Sequence, residues 1–500
     1  MPFDVFIVGG GINGCGVARD AAGRGLSVCL AEKGDLGGAT SSGSSKLIHG
    51  GLRYLEYYDF RLVRKSLRER EVLWKIAPHI IYPLRFVLPH HSALRSPWVL
   101  RLGLFLYDHI GGRKLLPGTR RVNLSQDETG KPLESSYTLG FEYADCRVDD
   151  ARLVVLNARD AADHGAQIYT RTEVIGAHQE DGFWHITTRD ANDKTYRFSA
   201  RVLVNASGPW AYDMSQKLLA RSQQHKPRLV RGSHIVVPRL YEHDRCYILQ
   251  NADGRIVFVI PYEETFTLIG TTERDHGTDL EKVSIEKDEI TYLCESVNNY
   301  FKESIDPRDI VWSYSAVRPL LDDGSSEAKS ITRDYRIVTE SEDGASPMIS
   351  ILGGKITTYR TLAEEVMQEI GRFIPVTKSS WTGQSALPGG DFPHDEYHRQ
   401  VENLRRDYPF LDLRHVQRLI RLYGMLSRQI LQNAKCSDDL GRWFGSDLYE
   451  VEVRHLVEKE WAVSAEDILW RRTKEGLRVS DEEASALERY VAGMISRIRV

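Results

Sequence analysis

The sequence is short of several things, and each shortage narrows what the chain can do. Its 500 residues hold only six cysteines (Cys15, Cys29, Cys146, Cys246, Cys294, Cys436), scattered with no C-x-x-C pair and no zinc-type spacing. That pattern suits a reducing compartment where thiols pack as small apolar groups, and it predicts no metal site and no disulfide framework. No sign of charge dominates: 66 Lys and Arg stand against 70 Asp and Glu, a net charge of −4, which argues against a general nucleic-acid binder. No apolar run reaches the roughly 18 residues that span a bilayer, so any membrane contact is expected to be peripheral. The start, MPFDVFIVGGG, carries neither a basic n-region nor an Arg- and Ser-rich presequence, and the expected location is the cytoplasm. What remains is an ordinary globular composition, 41% hydrophobic and 27% charged, long enough for two or three domains.

The first thirty-two residues carry the clearest signal. Asp4–Val8 (DVFIV) is a short apolar run of the kind that forms a buried parallel strand. GGGINGCG then supplies Gly9, Gly11 and Gly14 in G-x-G-x-x-G spacing, VARDAAGRG reads as a helix ending at a glycine, and LSVCLA reads as a second strand ending at Glu32. In this setting the glycines let backbone amides approach a pyrophosphate at a helix N-terminus, and the acid accepts hydrogen bonds from a ribose. The bland reading is a helix-packing glycine turn. The fingerprint does not separate NAD from FAD. Only one copy occurs, however, so a bound FAD would take its electrons directly from a small substrate.

Residues 40–56, TSSGSSKLIHGGLRYLE, begin eight positions after Glu32, where the chain should run along a bound nucleotide. Hydroxyls and glycines suit close contact with a pyrophosphate and a ring edge, and Arg53 and Tyr54 follow at what reads as the start of a helix. Taken alone, the stretch also reads as a Ser/Gly-rich loop with solvent-facing charges.

Residues 1–59 closely resemble the FAD-dependent glycerol-3-phosphate dehydrogenases, through IVGGGINGCGVARDAAGRG, the Glu32 region and ATSSGSSKLIHGGLRYLE. The likeness continues in GFEYADCRVDDARLV (140–154), NASGPW (205–210), RGSHIVVP (231–238) and YILQNADGRIVFVIPY (247–262). It resumes in LIGTTE (268–273), WSYSAVRPL (312–320), ITRDY (331–335) and GGKITTYR (353–360). The family is the respiratory, bacterial-size branch of the D-amino-acid-oxidase-like flavoproteins. The implied fold is α/β: a Rossmann-like FAD-binding domain with an interleaved mixed-sheet substrate domain, and an α-helical C-terminal cap.

The resemblance implies oxidation of sn-glycerol 3-phosphate to dihydroxyacetone phosphate, with the C2 hydride passing to flavin N5 and the electrons to membrane quinone. An oxidase that yields hydrogen peroxide from oxygen is the alternative. FAD is expected to be bound without a covalent link. The protein must clamp a phosphate, remove the C2 hydroxyl proton and aim the hydride. Guanidinium forks suit the clamp, so Arg53, Tyr54, Arg318 and Arg333 are the expected substrate contacts; for each arginine a structural ion pair is the alternative. His49 and His234 are both candidates for the proton acceptor, with a packed, hydrogen-bonded histidine as the plain reading. Lys355 is expected beside the flavin or substrate as a fixed cation, and with Arg318 completes the catalytic set. The cofactor contacts are expected to be Gly9, Gly11, Gly14, Glu32, Thr40, Ser41, Ser45, Lys46, Leu47, His49, Gly208, Gly354, Lys355, Thr357 and Thr358.

Residues 96–112 (SPWVLRLGLFLYDHIGG) read as a helix with Ser96 as N-cap and Pro97 at N1. It is apolar around most of its circumference, so burial is the favoured reading. Arg95, Arg101, Arg113, Lys114, Arg120 and Arg121 around it also allow contact with acidic lipid headgroups or admission of quinone. Residues 376–393, rich in Ser, Gly and Pro, read as a linker between a body at 1–375 and a helical C-terminal domain at 394–500 with a structural or assembly role. There Ser464-x-x-Asp467 and Ser480-x-x-Glu483 fit capping boxes. No EF-hand loop is present, which argues against calcium control. Oligomeric state stays open, with a homodimer as one option.

Overall fold

The run Phe3–Val8 forms strand β1, and it lies inside a sheet because it has no polar face to offer water: Val5, Phe6 and Ile7 are wholly buried. The computed structural model describes residues 1–92, 94–219, 227–320, 334–341 and 346–498. β1 pairs in parallel with strand β2 (Val28–Ala31) on one side and with Thr195–Asn205 on the other. Met348–Gly353 continues the sheet in parallel, Tyr335–Glu340 closes that edge antiparallel, and Gln167–Tyr169 closes the other beside β2. Helix α1 (Ile12–Gly23) crosses over from β1 to β2. It begins inside the glycine fingerprint, with Gly11 as N-cap. Its close approach to the strand end requires glycine, since a Cβ on Gly14 would stand 2.0 Å from the Gly9 carbonyl oxygen.

The second sheet is mixed and mostly antiparallel. Arg228–Pro238, Phe266–Gly270, Ile256–Tyr262, Cys246–Gln250, Ile81–His90 and Leu139–Val148 follow one another across it, and Leu47–Ile48 sits at one end. Trp312–Leu320 pairs along Arg228–Pro238, with Val230 opposite Arg318 and His234 opposite Tyr314. This sheet is interleaved in sequence with the first, as expected for a substrate domain built from insertions. The body thus has the α/β architecture anticipated from the sequence, and a helical domain follows it with its own core of Leu404, Val416, Leu419, Leu456, Ile468 and Leu487. Residues 376–393 pack rather than cross solvent: Leu387 is buried in the core of the body, and the Trp381 indole donates to the Asp20 carbonyl at 3.2 Å.

Two helices of the body bear on the site. Helix α2 (Phe60–Ile76) is capped by Asp59, which accepts from the Leu62 N–H, and helix α3 (Pro97–Ile110) packs on it. The favoured burial of α3 is overturned. Only Leu104 and Tyr107 are buried, whereas Trp98, Leu102 and Phe105 are 76%, 60% and 56% exposed. Only the stripe facing α2 and the second sheet is covered, and hydropathy alone does not tell an apolar face with a partner from one without. The Ser480–Glu483 capping box forms reciprocally, with Ser480 N–H donating to Glu483 at 2.8 Å and Glu483 N–H to Ser480 Oγ at 3.3 Å. At Ser464 only half forms: Asp467 N–H donates to Ser464 Oγ, while the Asp467 carboxylate turns to Val463 N–H and to arginines.

Candidate active site

A cavity of about 1590 Å³ runs between the two sheets. One end is built by the strand–turn–helix unit. Glu32 directly follows β2 and accepts from Gly10 N–H and Gly34 N–H, each at 2.7 Å. Burial pushes its carboxyl up, against those two amides, which favour the anion. A carboxylate has about four acceptor sites, so Glu32 keeps capacity for a ligand. Ser41 Oγ takes the Ile12 N–H at 2.9 Å, tying the 40–46 loop to the start of α1. Asn13 lines the cavity and donates to the Gly353 carbonyl at 3.3 Å, while its Oδ1 is buried without a partner among the described residues. Side-chain-free Gly11, an acid at the strand end and an unsatisfied amide oxygen fit a dinucleotide laid along this wall.

The other end is cationic. Lys355 Nζ donates to the His49 carbonyl at 2.5 Å and stands 5.2 Å above the Tyr54 ring. Arg318 comes from the second sheet and donates to Thr271 Oγ1 at 3.2 Å. Arg53 and Tyr54 lie on a 3₁₀ turn (Leu52–Tyr57) that leaves Gly51 at φ +80°, a conformation that disfavours any side chain there. His49 lines the same end of the cavity. Burial first, then Lys355, Arg70 and Arg318, hold its imidazole well below the usual histidine range, so it is neutral at physiological pH. The His49 loop is anchored from below: Gly50 N–H donates to Asp145, which is bonded to Arg70 at 2.5 Å and to the Tyr107 hydroxyl of α3 at 2.7 Å.

Most of the anticipated residues come together on this cavity. Gly9, Gly11, Glu32, Thr40 and Ser41 line the nucleotide-like end, followed by Ser45, Lys46, Leu47 and Gly208. His49, Arg53, Tyr54, Arg318, Gly354 and Lys355 line the cationic end. Lys46 is at the same time spoken for by a wholly buried Asp150, at 2.8 Å. Thr40 donates to the Val317 carbonyl at 2.6 Å.

Four residues are held behind the wall. Gly14 packs on Gly9, and His234 is 1% exposed with Nε2 at 2.9 Å from Ser45 Oγ and its ring stacked on Tyr314. Thr357 and Thr358 are buried, bonding to the main chain of His49 and Lys355. Arg333 lies outside the described residues.

Sequence reasoning missed Asn13, an unconstrained position of the fingerprint, and the pair Lys33 and Trp210, whose ammonium sits 4.0 Å over the ring. It also missed Glu466, Trp470, Arg471 and Lys474 of the C-terminal domain, which line the cavity. The mouth carries Val99, Leu102 and Leu106 of α3.

Comparison with known proteins extends these findings. The profile of the FAD dependent oxidoreductases matches residues 4–360, and that of the C-terminal domain of alpha-glycerophosphate oxidase matches residues 380–499. The chain is 50% identical over 484 residues to the D-erythritol 1-phosphate dehydrogenase of Brucella abortus, covering 97% of this chain and 96% of that one. It is 48% identical over 489 residues to the glycerol-3-phosphate dehydrogenase of Pseudomonas aeruginosa, covering 98% and 95%. Among solved structures, the glycerol-3-phosphate dehydrogenase of Bacillus halodurans complexed with FAD is similar with a TM-score of 0.78 at 25% identity, covering 99% of this chain and 91% of that one.

Proposed function

The chain belongs to the FAD dependent oxidoreductase family and takes FAD as its cofactor, and from that premise we propose that it oxidises sn-glycerol 3-phosphate at C2 and passes the electrons to membrane quinone. The observation that carries the reading is a neutral histidine, His49, on one cavity wall with Arg53, Arg318 and Lys355. Bound FAD would supply the two-electron acceptor for the C2 hydride. The guanidinium groups of Arg53 and Arg318 hold the phosphate, which a pair of planar forks does with little reorganisation. Arg333 is kept as a further phosphate contact. His49 lines the cavity and takes the C2 hydroxyl proton on the acceptor nitrogen of its neutral imidazole, whereas His234, though also held neutral, is covered by Ser45 and Tyr314. Lys355 supplies fixed positive charge where negative charge grows, and Tyr54 packs the substrate against it.

A lipophilic acceptor is supported by α3. Its exposed Trp98, Leu102 and Phe105 continue into the Val99, Leu102 and Leu106 lip of the cavity, flanked by Arg95 and Arg101. Such a face suits peripheral attachment at the cytoplasmic side of a membrane, and no helix among the described residues is long and apolar enough to cross one. The division into a 1–375 body, a 376–393 linker and a 394–500 domain, and a homodimeric assembly, belong to the same proposal.

The likeness to an erythritol phosphate dehydrogenase favours a second reading, in which the substrate is one CHOH unit longer. Comparing kcat/KM for sn-glycerol 3-phosphate and D-erythritol 1-phosphate, with a soluble quinone and with oxygen alone, tests both points. The proposal expects the three-carbon substrate to lead by about tenfold or more and oxygen alone to support little turnover. The reverse order would move the assignment to the tetritol phosphate, and full turnover on oxygen with peroxide would make the enzyme an oxidase.

A further inference from the structure

The turn Asp467–Arg472 of the C-terminal domain is a π-helix, a form that often marks functional sites. Its arginines reach across to the nucleotide-binding unit. Arg472, wholly buried, sets its two terminal nitrogens on the two carboxylate oxygens of Asp35 at 2.7 and 2.8 Å, and Arg471 adds Nε at 2.5 Å. Asp35 stands three positions after Glu32, in the turn whose Gly34 N–H holds the Glu32 carboxylate and whose Gly37 N–H donates to the Gly10 carbonyl at 3.0 Å. Arg171 closes the circuit: its N–H donates to the Gly34 carbonyl at 3.0 Å, and its guanidinium bonds Asp467 at 2.7 Å. On the opposite side Trp470 stacks on Trp312, with ring centres 4.6 Å apart, at the start of the strand that carries Arg318. A contact that served only to dock two domains would not need to present Glu466, Trp470, Arg471 and Lys474 to the cavity as well.

We propose that the C-terminal domain completes the FAD site, with Arg471 and Arg472 acting through Asp35 as positioning residues for the turn that aims Glu32. Cofactor retention then depends on a segment at the far end of the chain. A loop held in one geometry by two bidentate-capable cations presents its acid without reorganisation, and loosening it weakens the ligand rather than the fold alone.

The test is FAD binding to the deflavinated full chain, read by quenching of FAD fluorescence and by the rise in thermal midpoint on adding FAD. Arg471→Met is expected to weaken FAD by about tenfold or more, the scale on which loss of an outer-shell partner acts on a bound metal, and to shrink the FAD-dependent rise. Arg471→Lys should recover part of both. Arg421→Met removes a different interdomain contact, in which the guanidinium lies 3.8 Å over Tyr82 and 3.6 Å over Tyr397, neither lining the cavity. It should lower the midpoint of apo and FAD-bound protein alike and leave the FAD dissociation constant unchanged. Wild-type FAD affinity in Arg471→Met would overturn the proposal, as would equal weakening by Arg421→Met. If Arg471→Met does not fold, Arg471→Lys decides: unchanged FAD affinity contradicts the proposal and reduced affinity supports it. A wild-type chain that takes up no FAD would instead overturn the cofactor assignment on which the inference rests.

Discussion

Lys355 donates its ammonium to the backbone carbonyl of His49 at 2.5 Å, so a fixed cation is tied to the same residue whose imidazole it helps keep neutral. The relationship has a sign. A nearby positive charge penalises the imidazolium, so removing it raises the histidine pKa. In the wild-type enzyme kcat/KM should stay level as pH falls past the ordinary histidine value of about 6.5, declining only nearer the depressed His49 value. In Lys355→Met the acid limb should move up toward that ordinary value. The pH profile of flavin reduction checks this, and an unmoved limb would separate Lys355 from His49.

Gly232 lies beside Arg318 on neighbouring strands. A Cβ there would stand 2.6 Å from Arg318 Nη2 and 2.7 Å from Thr271 Oγ1. Gly232→Ala should therefore displace the guanidinium without emptying the core. A misplacement of about 1 Å costs up to roughly a hundredfold, so kcat/KM should fall by about ten- to a hundredfold, mostly through KM. Arg318→Lys, which keeps the charge but loses the fork, should fall in the same range. Steady-state kinetics against phosphate-bearing and phosphate-free polyols reads both, since only the former should suffer.

The exposed face of α3 predicts a separable membrane function. Fully burying a large apolar side chain is worth about 1.5–3 kcal/mol, so the double substitution Trp98→Ser, Phe105→Ser should cut liposome partitioning by roughly a hundredfold. Neither side chain lines the cavity. Turnover with a soluble acceptor should be unchanged while co-sedimentation is lost; retained co-sedimentation would mean another surface does the docking.

Asp145 joins three elements beneath the site: Arg70 of α2, Tyr107 of α3 and Gly50 N–H of the His49 loop. Removing one partner of a buried ion pair leaves an uncompensated charge at a cost of about 3–5 kcal/mol. Asp145→Ala should be destabilised by that amount in denaturant unfolding, and Tyr107→Phe by about 1–2 kcal/mol.

What the sequence made legible was local. Phe3–Val8, the glycine fingerprint and Glu32 act within one strand–turn–helix–strand unit, and their spacing contains the geometry. The segments around Arg53, Arg318 and Lys355 are far apart in sequence, and only their resemblance to a family drew them together in advance. The register of Trp312–Leu320 on Arg228–Pro238 puts His234, opposite Tyr314, on the same sheet face as Arg318. His234 is sequestered because Ser45 and the Tyr314 ring cover it while Arg318 lines the cavity, a difference no short window reveals. The exposure of α3 was misread because apolar composition reports a preference and not a partner. The C-terminal lining was invisible for a third reason. Paired Arg471 and Arg472 near Asp467 look like a solvated charged turn until Asp35 is found opposite them.

The most direct measurement is anaerobic. Purified yellow protein is mixed with sn-glycerol 3-phosphate and the flavin absorbance followed, in the wild type and in Arg318→Ala. The proposal predicts prompt bleaching in the wild type, recovery on adding a soluble quinone, and bleaching in Arg318→Ala only at much higher substrate concentration. A wild-type flavin that stays oxidised with saturating substrate would contradict the assignment, and equal bleaching in the two proteins would remove Arg318 from the phosphate clamp.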